Sequence, residues 1–236
     1  MNILLMGCSW AVPNYFGPPG DPIESHMEFL LRRQEHVVFN CARNGASNLH
    51  SLDRAKELIF ERNFIDHAGL PTHFIKIDGD IKFDLVIWFH TDPGRELKFD
   101  KDIIDNTNKS SREQLDELCA ITYKEYNKFF EELNAKVIII GGCSDLNPII
   151  HDYIKTNFII ESWQQILIGK GSETFTIVSG SNPPADEDIE IVNETLEVAK
   201  LMNDRRDLFP DGGHPGRQAH LDLFNFIDKN FIKLTM

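Results

Sequence analysis

Met1-Asn2-Ile3-Leu4-Leu5-Met6-Gly7-Cys8-Ser9-Trp10-Ala11 is the stretch that decides the fold. Ile3 to Met6 are unbroken apolar residues that run straight into Gly7-Cys8-Ser9. An apolar run that stops at a glycine turn is the pattern of a strand buried on both faces, as in a parallel sheet. Open sheets of that kind take their ligands beyond the carboxyl ends of the strands. Ser9 is therefore expected at the mouth of a site. The same residues also fit a plain strand-to-loop turn, and the rest of the chain has to decide between the two.

Outward from this strand the pattern repeats. Pro13 to Asp21 is rich in proline and glycine, which excludes helix. Ile23, Met27, Leu30 and Leu31 are spaced as a helix over 22–33, and Val37 to Asn40 reads as a second strand. After a polar loop from Asn40 to Asn48, Leu49, Leu52, Ala55, Leu58 and Ile59 mark an amphipathic helix over 47–62. Ile75, Ile77, Ile81 and Phe83 alternate around Asp78-Gly79, a hairpin signal beside the main sheet. Leu85 to Phe89 is another buried strand, and it ends in His90-Thr91-Asp92-Pro93-Gly94-Arg95. Residues 94–110 read as a mobile flap over the site.

A long helix is expected over 111–133, capped by Ser110 or Ser111. Strands follow at 136–140 and 158–160, with a short helix over 148–155 between them. A long loop spans 169–188, with a short strand at 175–178, and helices close the chain over 188–203 and 216–234. Strands alternating with helices at this pace indicate a parallel sheet covered on both faces.

The 236 residues, 42% of them hydrophobic, fit one α/β domain over 1–236. With 24 basic against 37 acidic residues the formal charge is −13, which argues against gripping nucleic acid or an anionic membrane. Cys8, Cys41, Cys119 and Cys143 have neither a Cys-x-x-Cys spacing nor a zinc pattern, and they fit reduced cytosolic thiols. The first apolar run is too short for a secretory signal and lacks its basic flank. No stretch approaches the ~18 apolar residues of a membrane span, so the expectation is a soluble cytoplasmic protein. Asp78, Asp80 and Asp84 lack the calcium-loop pattern, and no phosphate-binding glycine loop occurs, so neither metal nor nucleotide cofactor is expected.

Chemistry-bearing residues collect at three strand ends: Gly7-Cys8-Ser9, Asn44-Gly45 and His90-Thr91-Asp92. In a parallel sheet these share one rim. Late in the chain, Phe209-Pro210-Asp211-Gly212-Gly213-His214-Pro215 precedes the last helix. A serine nucleophile needs a base to take its proton, and the base needs an orienting carboxylate. Ser9, His214 and Asp211 supply one of each.

In that order the blocks resemble the SGNH/GDSL hydrolase superfamily. Gly7-Cys8-Ser9 is similar to the family's first block, Gly45 to its second, Phe89-His90-Thr91-Asp92 to its third, and Asp211-Gly212-Gly213-His214-Pro215 to its last. Cys8 stands where the family has aspartate, and Thr91 where it has asparagine. The Gly-Cys-Ser-Trp opening resembles a divergent branch met in phage and environmental sequences. The resemblance implies a flavodoxin-like, three-layer α/β/α fold and a cofactor-free serine esterase working through an acyl-enzyme. It implies Ser9 as nucleophile, His214 as base and Asp211 as its orienter. The oxyanion hole would be the N–H groups of Ser9 and Gly45 with the hydroxyl of Thr91. The implied substrate is a small-molecule or carbohydrate ester, such as an O-acetyl sugar. A non-catalytic binding module and an O-acyltransferase with the same triad are the alternatives.

Other readings of single residues stay open beside these. Cys8 is a second candidate nucleophile, although neighbours at a turn point apart. Trp10 is either a core aromatic or a wall of the substrate pocket. His90 and Asp92 line the site or belong to loop structure. Thr91 is an oxyanion donor or a turn residue, and Arg95 binds an acidic substrate group or is an exposed loop arginine. His220, inside the last helix, fits packing better than chemistry.

Overall fold

In the computed structural model, residues 1–11, 27–43, 45–61, 63–65, 74–76, 81–99, 110–156, 158–174 and 186–231 are described. Five strands form one sheet: β1 (Asn2–Met6), β2 (Val37–Asn40), β5 (Leu85–His90), β6 (Lys136–Gly141) and β7 (Ile159–Ile160). Every pairing in it is parallel and the order is β2-β1-β5-β6-β7. Within this sheet alone the order is therefore 2-1-3-4-5, the flavodoxin-like doubly wound arrangement, whose ligand crevice opens where the order reverses. Here the reversal falls between β1 and β5, which pair from Ile3↔Leu85 to Met6↔Trp88.

Side chains alternate across a strand, and that alternation builds the two apolar layers. Ile3 and Leu5, Ile87 and Phe89, and Ile138 and Ile140 face one side. There they meet helices α1 (Met27–Arg33), α6 (Trp163–Ile168), α7 (Asp186–Asp204) and α8 (Arg217–Asn230) through Leu31, Trp163, Met202 and Leu223. Leu4 and Met6, Val86 and Trp88, and Val137 and Ile139 face the other side. Their partners are α2 (Asn48–Lys56), α4 (Ser111–Leu133) and α5 (Ile150–Tyr153), through Leu52, Tyr126 and Ile150. Trp88 stacks on Tyr126 with ring centroids 3.7 Å apart, tying β5 to α4. Each such large side chain stabilises the fold by roughly 1.5–3 kcal/mol through burial alone. The result is a three-layer α/β/α protein.

Local chemistry sets the element ends. Ser110 and Glu113 form a reciprocal capping box at the start of α4, and Asn134 closes it in the left-handed conformation. Ser47 caps α2 by accepting the N–H of His50, and α2 continues as a π-helical turn over Glu57–Glu61. Helix α6 has no counterpart among the expected elements. Ser162 opens it by accepting the N–H of Gln165, and Gly169 ends it.

Two expectations need correction. A small hairpin does stand beside the main sheet, but it pairs β3 (Asn63–Ile65) with β4 (Phe74–Lys76). Residues 81–84 carry no strand. Phe83 is buried there against Phe39, and Asp84 takes the N–H of Asn2, so the segment leads into β5 instead of pairing with β4. The expected flap is, over its first part, ordered packing: a 3₁₀ turn at Pro93–Arg95 followed by α3 (Glu96–Phe99). Asp92 caps that turn, and Glu96 is buried beneath it. The proline-rich loop from Pro13, the turn at Asp78-Gly79, the end of the flap and the strand at 175–178 lie outside the described residues.

Candidate active site

The site lies at the β1/β5 reversal. Gly7 leaves β1 at φ +136°, and a Cβ added there would come within 2.5 Å of the Phe89 carbonyl oxygen. Only glycine lets the chain pass this close over the end of β5. The N–H of Gly7 is held by the Ser51 hydroxyl at 2.8 Å, and the N–H of Ala11 returns to the Cys8 carbonyl at 3.0 Å. Ser9 therefore rides on a tight, anchored turn, with its side chain at the edge of solvent.

The partner loop joins α7 to α8. Asp211 Oδ1 accepts the N–H groups of Gly213 (2.8 Å) and His214 (2.7 Å), which folds the loop around its own carboxylate. Its second oxygen, Oδ2, faces His214 Nδ1 at 2.6 Å. Burial pushes the Asp211 carboxyl up. The Gly213 N–H and both the ring and N–H of His214 more than offset that, and the net shift is downward. An ionised Asp211 at Nδ1 selects the tautomer that leaves Nε2 free to accept. His214 Nε2 lies 3.0 Å from Ser9 Oγ.

Ser9, His214 and Asp211, expected together from the sequence, thus form one hydrogen-bonded chain. Trp10 helps to align it. This ring is buried, edge-on to Trp163 at 5.5 Å and tilted on Phe209 at 5.8 Å. It is a core aromatic that joins the serine turn to the histidine loop, not a pocket wall.

Gly45 lies on the neighbouring β2–α2 loop at φ +71°. Among the described residues, neither its N–H nor that of Ser9 donates to a backbone acceptor. The other expected site residues turn inward. Thr91 is fully buried, with Oγ1 3.1 Å from Cys143 Sγ, so its hydroxyl serves the interior and not the rim. His90 continues the Trp88 face of β5, packs on Trp88 and Tyr123, and touches the Ser144 hydroxyl at 3.3 Å. Burial pushes its imidazole down to about 3. Asp92 accepts from the Gly94 N–H (2.9 Å) and the Thr174 hydroxyl (2.6 Å), so it is loop structure. Arg95 is half-buried and reaches the Ala46 carbonyl at 3.4 Å, so it is not an exposed loop arginine. His220 sits in the core against Trp163.

Two residues with no expected role hold this arrangement. Asn48 grips the end of β5 from both sides: Nδ2 donates to the Thr91 carbonyl (3.0 Å) and Oδ1 accepts the Thr91 N–H (2.9 Å). Glu96, also buried, accepts the N–H groups of Asn48 (2.7 Å) and Leu49 (3.2 Å) at the start of α2. Burial pushes the Glu96 carboxyl up to about 7, against the pull of these hydrogen bonds. Together the two lock the Gly45 loop to the strand beside Ser9. The sequence signal available was Asn48 and Glu96 lying just past two glycine-bearing strand ends, which is too common to single them out.

No protein-family model and no curated protein matches the sequence. Solved structures do resemble the chain. The psychrotrophic esterase EstA from Pseudoalteromonas sp. is 12% identical, with a TM-score of 0.43 over 95% of this chain and 92% of its own. TesA is 12% identical, with a TM-score of 0.45 over 99% of each chain. A lipase/acylhydrolase from Enterococcus faecalis is 16% identical, with a TM-score of 0.40 over 96% of this chain and 93% of its own. A structure described as a putative SGNH hydrolase from Slackia heliotrinireducens also resembles the chain, at 12% identity and a TM-score of 0.38 over 95% of this chain and 97% of its own.

Proposed function

We propose that the chain is a serine acyl hydrolase acting on small O-acyl esters, an O-acetylated carbohydrate being the class that fits best. The observation that carries this reading is the unbroken chain from Asp211 Oδ2 through His214 to Ser9 Oγ, at 2.6 and 3.0 Å. Ser9 Oγ attacks the ester carbonyl while His214 Nε2 takes its proton. Asp211 holds the ring and stabilises the imidazolium that forms. The tetrahedral oxygen is met by the N–H groups of Ser9 and Gly45. His214 then gives its proton to the departing alcohol, leaving an acyl group on Ser9. Water, activated by the same imidazole, releases the acid.

One observation favours a second reading. The Thr91 hydroxyl is engaged with Cys143, so the oxyanion has two donors where the family resemblance implies three. Losing one donor costs about 10²–10³ in rate, and a protein that binds esters and turns them over slowly is the outcome at that limit.

The test uses a fluorophosphonate probe and p-nitrophenyl acetate on the wild type and on Ser9→Ala, His214→Ala and Cys8→Ala. Labelling lost only with Ser9 and His214 supports the hydrolase. Labelling that survives Ser9→Ala and vanishes with Cys8→Ala overturns the nucleophile. A wild type that never labels leaves the binding module, and acylated sugar in excess of free acid indicates transfer.

A further inference from the structure

Directly behind the Ser9 turn lie two thiols that the proposed reaction does not use. Cys8 Sγ and Cys143 Sγ are 3.9 Å apart, both in the interior. They come from different strands: Cys8 follows β1, Cys143 follows β6, and both loops cross over the end of β5. Cys143 Sγ accepts the Asp92 N–H at 3.1 Å and lies 3.1 Å from the Thr91 hydroxyl. Its carbonyl accepts from Gln164 Nε2 at 3.1 Å, so the backbone that carries it is pinned from α6.

Arg95 lies close enough for its positive charge to act on both thiols. Such an arrangement is unusual for structural cysteines, which sit in apolar surroundings and are inert. Here the two sulfurs are in contact at 3.9 Å, so the ionisation of one bears on the other. The hydrogen bond with Cys143 lowers the Cys8 thiol to about 5 against the cost of burial, with help from Arg95 and the Thr91 hydroxyl. Cys143 is held protonated in turn. Cys119, whose thiol burial pushes up to about 12, is the contrast within the same protein.

We infer that Cys8 and Cys143 form a peroxide-oxidisable thiol pair whose disulfide displaces the Ser9 turn. The oxidant is a hydroperoxide, hydrogen peroxide being the smallest, and in this proposal it reaches the buried pair when the Ser9 turn opens. Cys8 thiolate attacks one peroxide oxygen: an S–O bond forms, the O–O bond breaks, and the departing hydroxide leaves as water after taking a proton. Cys143 then attacks the Cys8 sulfenic sulfur. The S–S bond forms, the S–O bond breaks, and hydroxide leaves as a second water with the Cys143 proton. Two thiols and one peroxide give one disulfide and two waters.

A disulfide is about 2.05 Å long, so the sulfurs must close by about 1.9 Å from their 3.9 Å separation. Cys143 is held at its sulfur by Asp92 and Thr91 and at its carbonyl by Gln164. Cys8 is held at its carbonyl by the Ala11 N–H, so most of the proposed movement falls on Cys8 and strains the anchored turn. Ser9 moves with it, off a 3.0 Å contact with His214. A misplacement of about 1 Å at a reacting group costs on the order of 10²-fold in rate. This consequence for Ser9 rests on the hydrolase reading, whereas the thiol chemistry does not.

The experiment keeps the two apart. The reduced full-length protein is treated with hydrogen peroxide, denatured in N-ethylmaleimide, and measured by intact mass and peptide mapping. The expected product carries two maleimides instead of four, with one Cys8–Cys143 link. Cys143→Ser is expected to stop at a Cys8 sulfenic acid that dimedone traps. Arg95→Gln, which keeps both thiols, is expected to slow the reaction about 10-fold by removing the charge that favours the thiolate. Oxidation at Cys41 or Cys119 ahead of the pair, or an Arg95→Gln rate equal to wild type, overturns the inference. In parallel, fluorophosphonate labelling of the oxidised protein is expected to fall at least 10-fold and to return with a phosphine reductant. Unchanged labelling despite the link overturns the displacement of Ser9. If even the reduced protein never labels, the hydrolase reading fails while the mass data still decide the thiol pair.

Discussion

The rim above β1 and β5 has two halves that look alike in sequence and differ in structure. The outer half is Ser9, His214 and Asp211, with the His214 and Asp211 side chains partly in solvent. The inner half is Thr91, His90, Asp92, Asn48 and Glu96, all buried. Both halves are polar residues from strand ends and the loops and helix starts beside them. The outer groups have a free edge at which a ligand can arrive. Thr91, Asp92, Asn48 and Glu96 direct their hydrogen bonds to other buried side chains and to the backbone, and His90 is packed among Trp88, Tyr123 and Ser144. A polar residue at a strand end is thus a holder or an actor according to what its side chain already touches.

The largest effect should break the outer half at its nucleophile. Ser9→Ala is expected to lower p-nitrophenyl acetate turnover by on the order of 10⁶-fold, to the level that binding and the oxyanion donors sustain alone. Circular dichroism should be unchanged, because the side chain is at the edge of solvent. Asp211→Asn comes next. It keeps the loop but offers His214 Nδ1 the wrong partner, and the expected loss is on the order of 10⁴-fold. If Asp211→Asn costs less than tenfold, the outer half is not a working triad.

For the inner half the readout is stability. Glu96 has a folded carboxyl near 7, raised from 4.5 mainly by burial. The folded state therefore binds the extra proton between those values, and its stability falls as pH rises from about 4.5 to 7. Glu96→Gln cannot ionise, so its unfolding free energy should lack that part of the slope. The wild-type-minus-variant difference should shrink by up to about 3 kcal/mol across the window. Asp145, pushed up to about 6 by burial, slopes the same way and is present in both proteins. Urea titrations at pH 5 and 7.5 measure the difference, and a pH-independent one would show that Glu96 does not titrate there.

Thr91→Val should do least. An oxyanion donor lost would cost about 10²–10³ in rate. A hydroxyl engaged with Cys143 predicts less than about threefold in kcat, with a loss of roughly 1 kcal/mol of stability. A hundredfold drop in kcat would move Thr91 to the outer half and redraw the boundary.

Much of this was legible from residues alone. The apolar runs at Ile3–Met6, Leu85–Phe89 and Val137–Ile140 are strands because burial on both faces leaves no polar alternation to misread. The Asp211–His214 spacing was readable because the whole unit is local: one carboxylate, two turn glycines and one imidazole within four residues. Direction was harder. The alternation Val86, Trp88, His90 already puts His90 on the α4 face, but a polar residue ending a strand invites a site reading. Glu96 and Asn48 were out of reach, because their meaning lies in contacts made 48 residues apart. Helix α6 escaped because six residues are too few for a helical period to emerge. The hairpin was misassigned because three-residue strands leave the pairing register unspecified.

The contact between Ser9 and His214 spans 205 residues. A ribosome adding ~5–20 residues each second needs roughly 10–40 s to travel from one to the other. Throughout that interval the nascent chain carries Ser9, the proposed nucleophile, without its proposed base. The sheet can assemble strand by strand, but the reactive couple is completed only when the loop before the last helix docks on Trp10. The proposed Ser9–His214 couple is thus incomplete until residue 214 has been added. Any product that stops short of residue 214 should carry Ser9 without its proposed base and fail to label with a fluorophosphonate.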